Sequence, residues 1–282
     1  VSATQSTDSP GIALDRATEL EGEGGSYSTE ISRAWEIWGP NGGYLAAIAL
    51  RAAGRLAELP RPASFYCHFL RSPAFARVEL QVSMLKRSRR SEALTVSMTQ
   101  DGKEVMQALV RTAADAPGYE HQQEAAPAVP PPAQLQSAEE LWRTSNPRVG
   151  RPIFRFWENI ERRPTERLKQ PPQPAVVREW TRFRPCATFA DPFVDAARPL
   201  ILLDTYGWPA VFRTHRDGNY YAPNLDTSAW FHRTCASSEW LLIDHQSPSG
   251  ANGLLGVGGR VWDEQGRLLA TGGAQLCCLP SP

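Results

Sequence analysis

The run Leu200-Ile201-Leu202-Leu203-Asp204-Thr205-Tyr206-Gly207-Trp208-Pro209 places one carboxylate inside an apolar stretch. Burying an acid is costly unless it is hydrogen-bonded, so Asp204 needs a reason to be there. Two reasons are open: a functional acid, or an ordinary helix-end aspartate with Gly207 and Pro209 as terminus residues behind it. Other residue types that could do chemistry are less promising. His68 and His232 sit beside strand aromatics, which suits a structural role, and His121, His215 and His245 show no partner pattern. Cys67 and Cys235 would be nucleophiles only beside a base, and none is indicated. Together with Cys186, Cys277 and Cys278 they form an odd set without metal-ligand spacing, which reads as reduced, mostly buried thiols. The glycine-rich run 253–259 lacks the Lys-Ser/Thr ending of a phosphate loop and lies between strands, so it reads as a flexible or closely packed strand.

Which elements position Asp204? The chain has 282 residues, enough for two small domains or one large one. Residues 27–31 read as a strand and Trp35-Glu36-Ile37-Trp38 as a short second piece. The breaker cluster Gly39-Pro40-Asn41-Gly42-Gly43 precedes a run of strong helix formers from Tyr44 to Ala53, with Gly54 as its stop. That helix is apolar on nearly every face and must be covered. Strands are expected at 63–70, 76–86, 92–100 and 104–112, the last two joined by Asp101-Gly102, a strong hairpin signal. A proline-rich stretch, 114–134, reads as a mobile linker. Ser137 to Leu141 has a capping-type helix start, 154–160 looks like a strand, 162–174 a basic exposed loop and 176–185 another strand. A largely helical segment, 191–212, is expected to be interrupted at Pro209. Strands follow at 225–232, 239–246, 251–262 and 267–279.

The two helix-plus-strands units superpose with one shift of 164 residues, which brings Gly43 onto Gly207, His68 onto His232 and Gly102 onto Gly266. A duplicated module explains this better than chance, and the copies are expected to pack with pseudo-two-fold symmetry. Composition adds limits. Lys+Arg and Asp+Glu both number 30, so no global field favours nucleic acid or an anionic membrane. The N-terminal residues have no apolar core of signal-peptide length and no run reaches the ~18 apolar residues of a membrane span, so a cytoplasmic protein is expected.

A long helix wrapped by a curved antiparallel sheet is the hotdog arrangement, and two in one chain give an α+β double hotdog. The runs WGPNGGYLAAIALRAA, SFYCHFLRSP, LILLDTYGWPAVF and LDTSAWFHR with a closing ATGGAQL, in this order, together resemble the acyl-CoA thioesterase II (TesB-like) family. The resemblance implies hydrolysis of acyl-CoA to free acid and CoA, as in fatty acid metabolism, without cofactor or metal. It also implies a water held by an aspartate, a hydroxyl-bearing residue and a glutamine of the second hotdog. Position by position these fall on Asp204, Asn224 and Gln275, with Asn224 departing from the family's Thr or Ser. Asn224 offers different donors and acceptors from a hydroxyl. Thr227 is a substitute, although strand alternation turns it to the face opposite Asn224.

Thioester hydrolysis also needs donors for the carbonyl oxygen. Asn41, Gly42 and Gly43 are the candidates, through backbone N–H groups at the start of the first helix, with a tight turn needing positive φ as the competing explanation of the glycines. Lys86, Arg87, Arg89 and Arg90 at a hairpin tip are candidates for the CoA phosphates. The expected organisation is an N-terminal hotdog unit over 1–113, a proline-rich linker over 114–136 and a C-terminal unit over 137–282, with exposed sheet edges inviting a homo-oligomer, a dimer or higher. Two rival functions remain: a hotdog enoyl-CoA hydratase or dehydratase, disfavoured because Asp204 has no His within a helical turn, and a non-catalytic acyl-CoA binding protein.

Overall fold

Strong helix formers fill Gly42–Leu56, which forms the long helix α2 after a single turn, α1 (Leu14–Ala17). Asn41 caps α2 by accepting the Tyr44 N–H at 2.9 Å. Every residue from Gly43 to Ala53 is buried except Arg51, as an all-round apolar helix requires. This is a computed structural model describing residues 11–145, 154–166, 173–216 and 218–281. Around α2 run β1 (Glu21–Glu23), β2 (Ser26–Glu30), β3 (Arg61–Phe69), β4 (Arg77–Arg87), β5 (Ser91–Gln100) and β6 (Lys103–Ala113). Alternation turns Val78, Leu80 and Val82 of β4 and Leu94, Val96 and Met98 of β5 into the core. Asp101 and Gly102, at φ 51° and 71°, make the two-residue turn between β5 and β6.

The second half repeats the plan. After α3 (Ala138–Ser145), opened by reciprocal Ser137 and Glu140 bonds, come β7 (Ile160–Pro164), β8 (Val176–Phe183), α4 (Pro192–Thr205) and α5 (Gly207–Phe212). Then follow β9 (Tyr220–Tyr221), β10 (Asp226–Phe231), β11 (Trp240–Ala251), β12 (Leu254–Asp263), β13 (Leu268–Cys277) and β14 (Leu279–Pro280). Twelve strands form one sheet in the order β1-β2-β4-β5-β6-β3-β10-β13-β12-β11-β8-β7, while β9 and β14 pair separately. This is a double hotdog, with α2 and α4 packed together inside.

β3 and β10 stitch the halves together, with Phe65 opposite Ala229. These two positions are themselves related by the 164-residue shift, so the pseudo-two-fold axis passes between them. The shift carries β3, β4, β5 and β6 onto β10, β11, β12 and β13. It does not carry the helices. α2 starts at Gly42 and α4 at Pro192, a shift of 150 residues that also relates β2 to β8. The two shifts differ by 14 residues, inserted between α4 and β10 where α5 and β9 lie. Gly207 is therefore not the counterpart of Gly43; Phe193 is.

Other expectations need correction. Residues 155–159 form a 3-10 helix rather than a strand, held where the Asn159 amide donates to Ala34 O at 2.7 Å. The expected second piece at Trp35 is likewise a 3-10 turn, Arg33–Trp35, capped by Ser32. The helical stretch breaks at Tyr206, not at Pro209, because Pro209 falls in the first turn of α5 where its missing N–H is an orphan anyway. The strand expected at 251–262 is cut by a turn at Asn252 and Gly253, φ 53° and 79°, an Asn-Gly signal that sequence reasoning passed over. The proline-rich stretch lies across the second half instead of projecting from it: the Gln122 side chain donates to Gly266 O at 3.0 Å, Glu124 pairs with Arg260, and Trp180 Nε1 donates to Pro130 O at 3.0 Å. Of the basic loop, 162–164 belong to β7 and 167–172 lie outside the described residues.

Candidate active site

The helices α2 and α4 lie antiparallel, so the start of α2 meets the end of α4. Gly43 is the point of closest approach: a Cβ there would stand 2.8 Å from Ile201 Cα and 3.0 Å from Asp204 Cβ. Neither Gly42 nor Gly43 has a positive φ. The glycines are needed for helix contact, not for a tight turn. The contact delivers the Gly43 N–H to Asp204 Oδ2 at 2.6 Å.

Asp204, in the last turn of α4, is 4% exposed. Its Oδ1 accepts from Asn224 Nδ2 at 2.7 Å, and the same amide donates to the Asp204 backbone carbonyl at 2.8 Å. Burial pushes the Asp204 carboxyl up to about 6, while the Asn224 amide, the Gly43 N–H and the Thr227 hydroxyl each favour its charged form. The Thr227 hydroxyl stands close enough for that effect but outside hydrogen-bond geometry, and it has no other partner among the described residues. Thr227 and Asn224 thus both face Asp204, against the expectation from alternation. The reason is local: Asn224 makes an isolated bridge to Leu276 ahead of β10, and the bend at Leu225 interrupts the two-residue period.

Gln275 does not join them. It is exposed on β13, between the buried Ala274 and Leu276, so its side chain leaves the sheet on the outer face. The repeat itself could have shown this. The mate of Gln275 under the 164-residue shift is Arg111, an exposed residue between the buried Val110 and Thr112 of β6.

The expected carbonyl donors are only partly free. Gly43 N–H is committed to Asp204, whereas Gly42 N–H, at the positive end of α2, has no acceptor among the described residues. The Asn41 side chain accepts from Tyr44 and donates to Thr205 Oγ1 at 3.1 Å, so it braces the two helix ends against each other. Arg87 of the basic hairpin is paired with Glu58 and Glu92. Glu92 also accepts the Glu58 and Leu59 N–H groups just beyond the end of α2, placing the hairpin roughly 22 Å along that helix from Gly42.

Three features escaped sequence reasoning. His245 is buried beneath α4, and its Nε2 donates to Leu203 O at 3.0 Å. With Asn224 on the Asp204 carbonyl, it satisfies backbone groups that the end of α4 leaves open. Burial lowers the imidazole to about 4, so it is neutral at pH 7. Secondly, Trp38, half exposed three residues before Asn41, meets Trp208, Phe154 and Tyr221 edge to face at 6.1, 6.5 and 5.3 Å. Much of this aromatic wall comes from the inserted segment. Thirdly, the pseudo-symmetric mate of the Gly43 and Asp204 contact is Phe193 on Gly54, where a Cβ would come 2.6 Å from Phe193 Cδ2. That end of the helix pair holds a ring instead of an acid.

A cleft of about 420 Å³ on the first half is lined by Glu21, Tyr27, Arg77 and Gln81. Its arginine and glutamate pair with each other at 2.9 Å, and it holds no group comparable to Asp204. Among the described residues no cluster of His, Cys, Asp or Glu could hold a metal ion, and no helix is long and apolar enough to cross a membrane.

Fold and site together define a tandem hotdog protein with one buried, base-like carboxylate where two helix ends meet. The chain belongs to the acyl-CoA thioesterase family: the N-terminal domain of that family matches residues 31–113 and the C-terminal domain residues 123–279. Solved structures agree in fold. An acyl-CoA thioesterase II, TesB2, from Mycobacterium marinum is 22% identical with a TM-score of 0.78, and the match covers 95% of this chain and 98% of that one. The tesB protein of Mycobacterium avium subs paratuberculosis is 26% identical at a TM-score of 0.75 with the same coverage. A hot dog fold protein of unknown function from Alicyclobacillus acidocaldarius is 22% identical at 0.80, again over 95% and 98%. A search of curated proteins returns no match.

Proposed function

We propose that this protein hydrolyses acyl-CoA thioesters to the free carboxylic acid and CoA, with Asp204 as the general base. The observation that carries the reading is a carboxylate sealed between helix ends, pushed up to about 6, and oriented by Gly43 N–H and Asn224. A water gives one proton to the Asp204 carboxylate as its oxygen bonds to the thioester carbon and the carbonyl π pair moves onto oxygen. The Gly42 N–H, reinforced by the α2 dipole, donates to that oxyanion. Collapse re-forms the carbonyl and breaks the C–S bond, and the proton held by Asp204 passes to the departing thiolate. The acyl group rests against the wall of Trp38 and Trp208, which flank the two helix ends.

A thiol-release assay across acyl chain lengths tests this. Asp204→Asn is expected to lower kcat by about 10²–10⁴-fold. Full activity in that variant would refute the assignment. Binding of acyl-CoA by the wild type without thiol release would instead identify a carrier, and hydration of crotonyl-CoA a hydratase. The hydratase reading is disfavoured because His245, the imidazole buried beneath the end of α4, is spent on the Leu203 carbonyl.

A further inference from the structure

The Asp204 carboxylate faces Gly42: a Cβ there would stand 3.1 Å from each carboxylate oxygen and 3.0 Å from Phe69 Cζ. A glycine at this position leaves a thioester room to approach the acid. The acyl group of that thioester must then continue somewhere, and the interior is shut. Residues 46–50 of α2 and 200–203 of α4 are all 0% exposed, so no void that a water could enter borders them. At the far junction the Phe193 ring fills the space against Gly54. Cavities that enclose a ligand run to about 300–1,000 Å³, and nothing of that size lies between these two helices among the described residues.

Outward, the chain supplies an aromatic shelf. Trp38 is 48% exposed, and Phe154, Trp208 and Tyr221 meet it at interplanar angles of 85°, 70° and 74°. Single exposed rings are ordinary on a protein surface; four in contact beside the equipped helix junction are not. The adenine of CoA is another ring that could stack there, but the whole pantetheine arm separates it from the thioester, whereas three residues, about 10 Å at full stretch, separate Trp38 from Asn41. The shelf therefore lies on the acyl side. Resting on the thioesterase reading, we propose that the substrates are thioesters of compact acyl groups with at most one ring, seated on Trp38. Trp38 is then the specificity-determining residue, and a long alkyl chain gains nothing once it runs past the shelf. Because an aromatic pair adds to what area burial gives, a phenyl group is favoured over a saturated ring of the same size by about 2- to 10-fold.

The test assays the full chain for thiol release from acetyl-, hexanoyl-, decanoyl-, cyclohexylacetyl- and phenylacetyl-CoA. The value of kcat/KM is expected to rise from acetyl to hexanoyl, to stay level from hexanoyl to decanoyl, and to be about 2- to 10-fold higher for phenylacetyl than for cyclohexylacetyl. A buried chain gains about fourfold per methylene instead, and a climb of that kind through decanoyl overturns the proposal. Trp38→Ala is expected to lower the phenylacetyl-to-acetyl ratio of kcat/KM by about 10-fold or more, mainly through KM, while Trp38→Phe keeps most of it. The same fractional loss for both substrates is what a ring serving only the fold gives, and it refutes the role of Trp38. Should Trp38→Ala fail to fold, Trp38→Leu read against Trp38→Phe decides it, and equal ratios in those two are refutation. If Asp204→Asn keeps full activity toward every thioester, the thioesterase site is wrong; if Asp204→Asn is inactive and decanoyl-CoA is the best wild-type substrate, only the acyl class fails.

Discussion

A carboxyl group poised near pH 6 is a better base than a solvent-exposed one and still mostly ionised at pH 7, and burial alone raises Asp204 into that position. Asn224 is the largest of the influences that hold it down. Asn224→Ala removes a charge-assisted bond worth about 1.5–3 kcal/mol, so the acidic limb of the kcat against pH profile is expected to move up by about one pH unit or more. Gln275→Ala is expected to leave both kcat and that limb where they are, since its side chain is on the far side of the sheet. A pH series of kcat for both variants checks this, and a collapse of activity in Gln275→Ala would return that residue to the site.

At the scale of elements, the antiparallel pair of α2 and α4 offers two equivalent junctions, and only one is equipped. Gly43 against Asp204 encloses an acid; Gly54 against Phe193 encloses a packed ring. Phe193 is almost fully buried, so Phe193→Ala is expected to destabilise the fold by about 3–5 kcal/mol in urea unfolding while creating no second activity, there being no acid at position 54. A cost below about 1 kcal/mol would mean that the ring does not hold the helices together. The asymmetry extends to the connection after α4, where the inserted segment brings Trp208 and Tyr221 to the equipped end.

Across the whole molecule, two buried groups link stability to pH with opposite signs. The folded-state value of Asp204, about 6, lies above the reference of 3.8, so the native state holds its proton more tightly and loses roughly 3 kcal/mol of stability as pH rises from about 4 to about 6. The folded-state value of His245, about 4, lies below its reference of 6.5, so the native state resists protonation and loses roughly 3 kcal/mol as pH falls from about 6.5 to about 4. In the native protein the two nearly cancel. Relative to wild type, Asp204→Asn is expected to gain stability between pH 4 and 7, and His245→Gln between pH 7 and 4. Urea unfolding at pH 4, 5.5 and 7 reads both, and differences that stay constant with pH would count against the burial of these groups. The sheet edges bear on assembly: β1 is three residues with two glutamates, and β7 carries Arg162, Arg163 and Pro164, features that oppose strand addition.

Local chemistry determined much of this protein in advance. The period-two burial of β4 and β5, the Asp101-Gly102 hairpin, the all-apolar α2, the duplicated strands and the solitary acid among leucines are all legible in the chain, because each depends on residues close in sequence. Tertiary structure alone decided the rest. Which face Gln275 and Thr227 present depends on strand parity, and one bend or bulge reverses it, as the paired burial of Leu269 and Ala270 does partway along β13. That Gly43 bonds Asp204, that Phe193 fills the mate of the site, and that His245 closes the end of α4 depend on contacts between residues far apart in the chain. No local pattern encodes such contacts; the packing of two helices inside one closed sheet does.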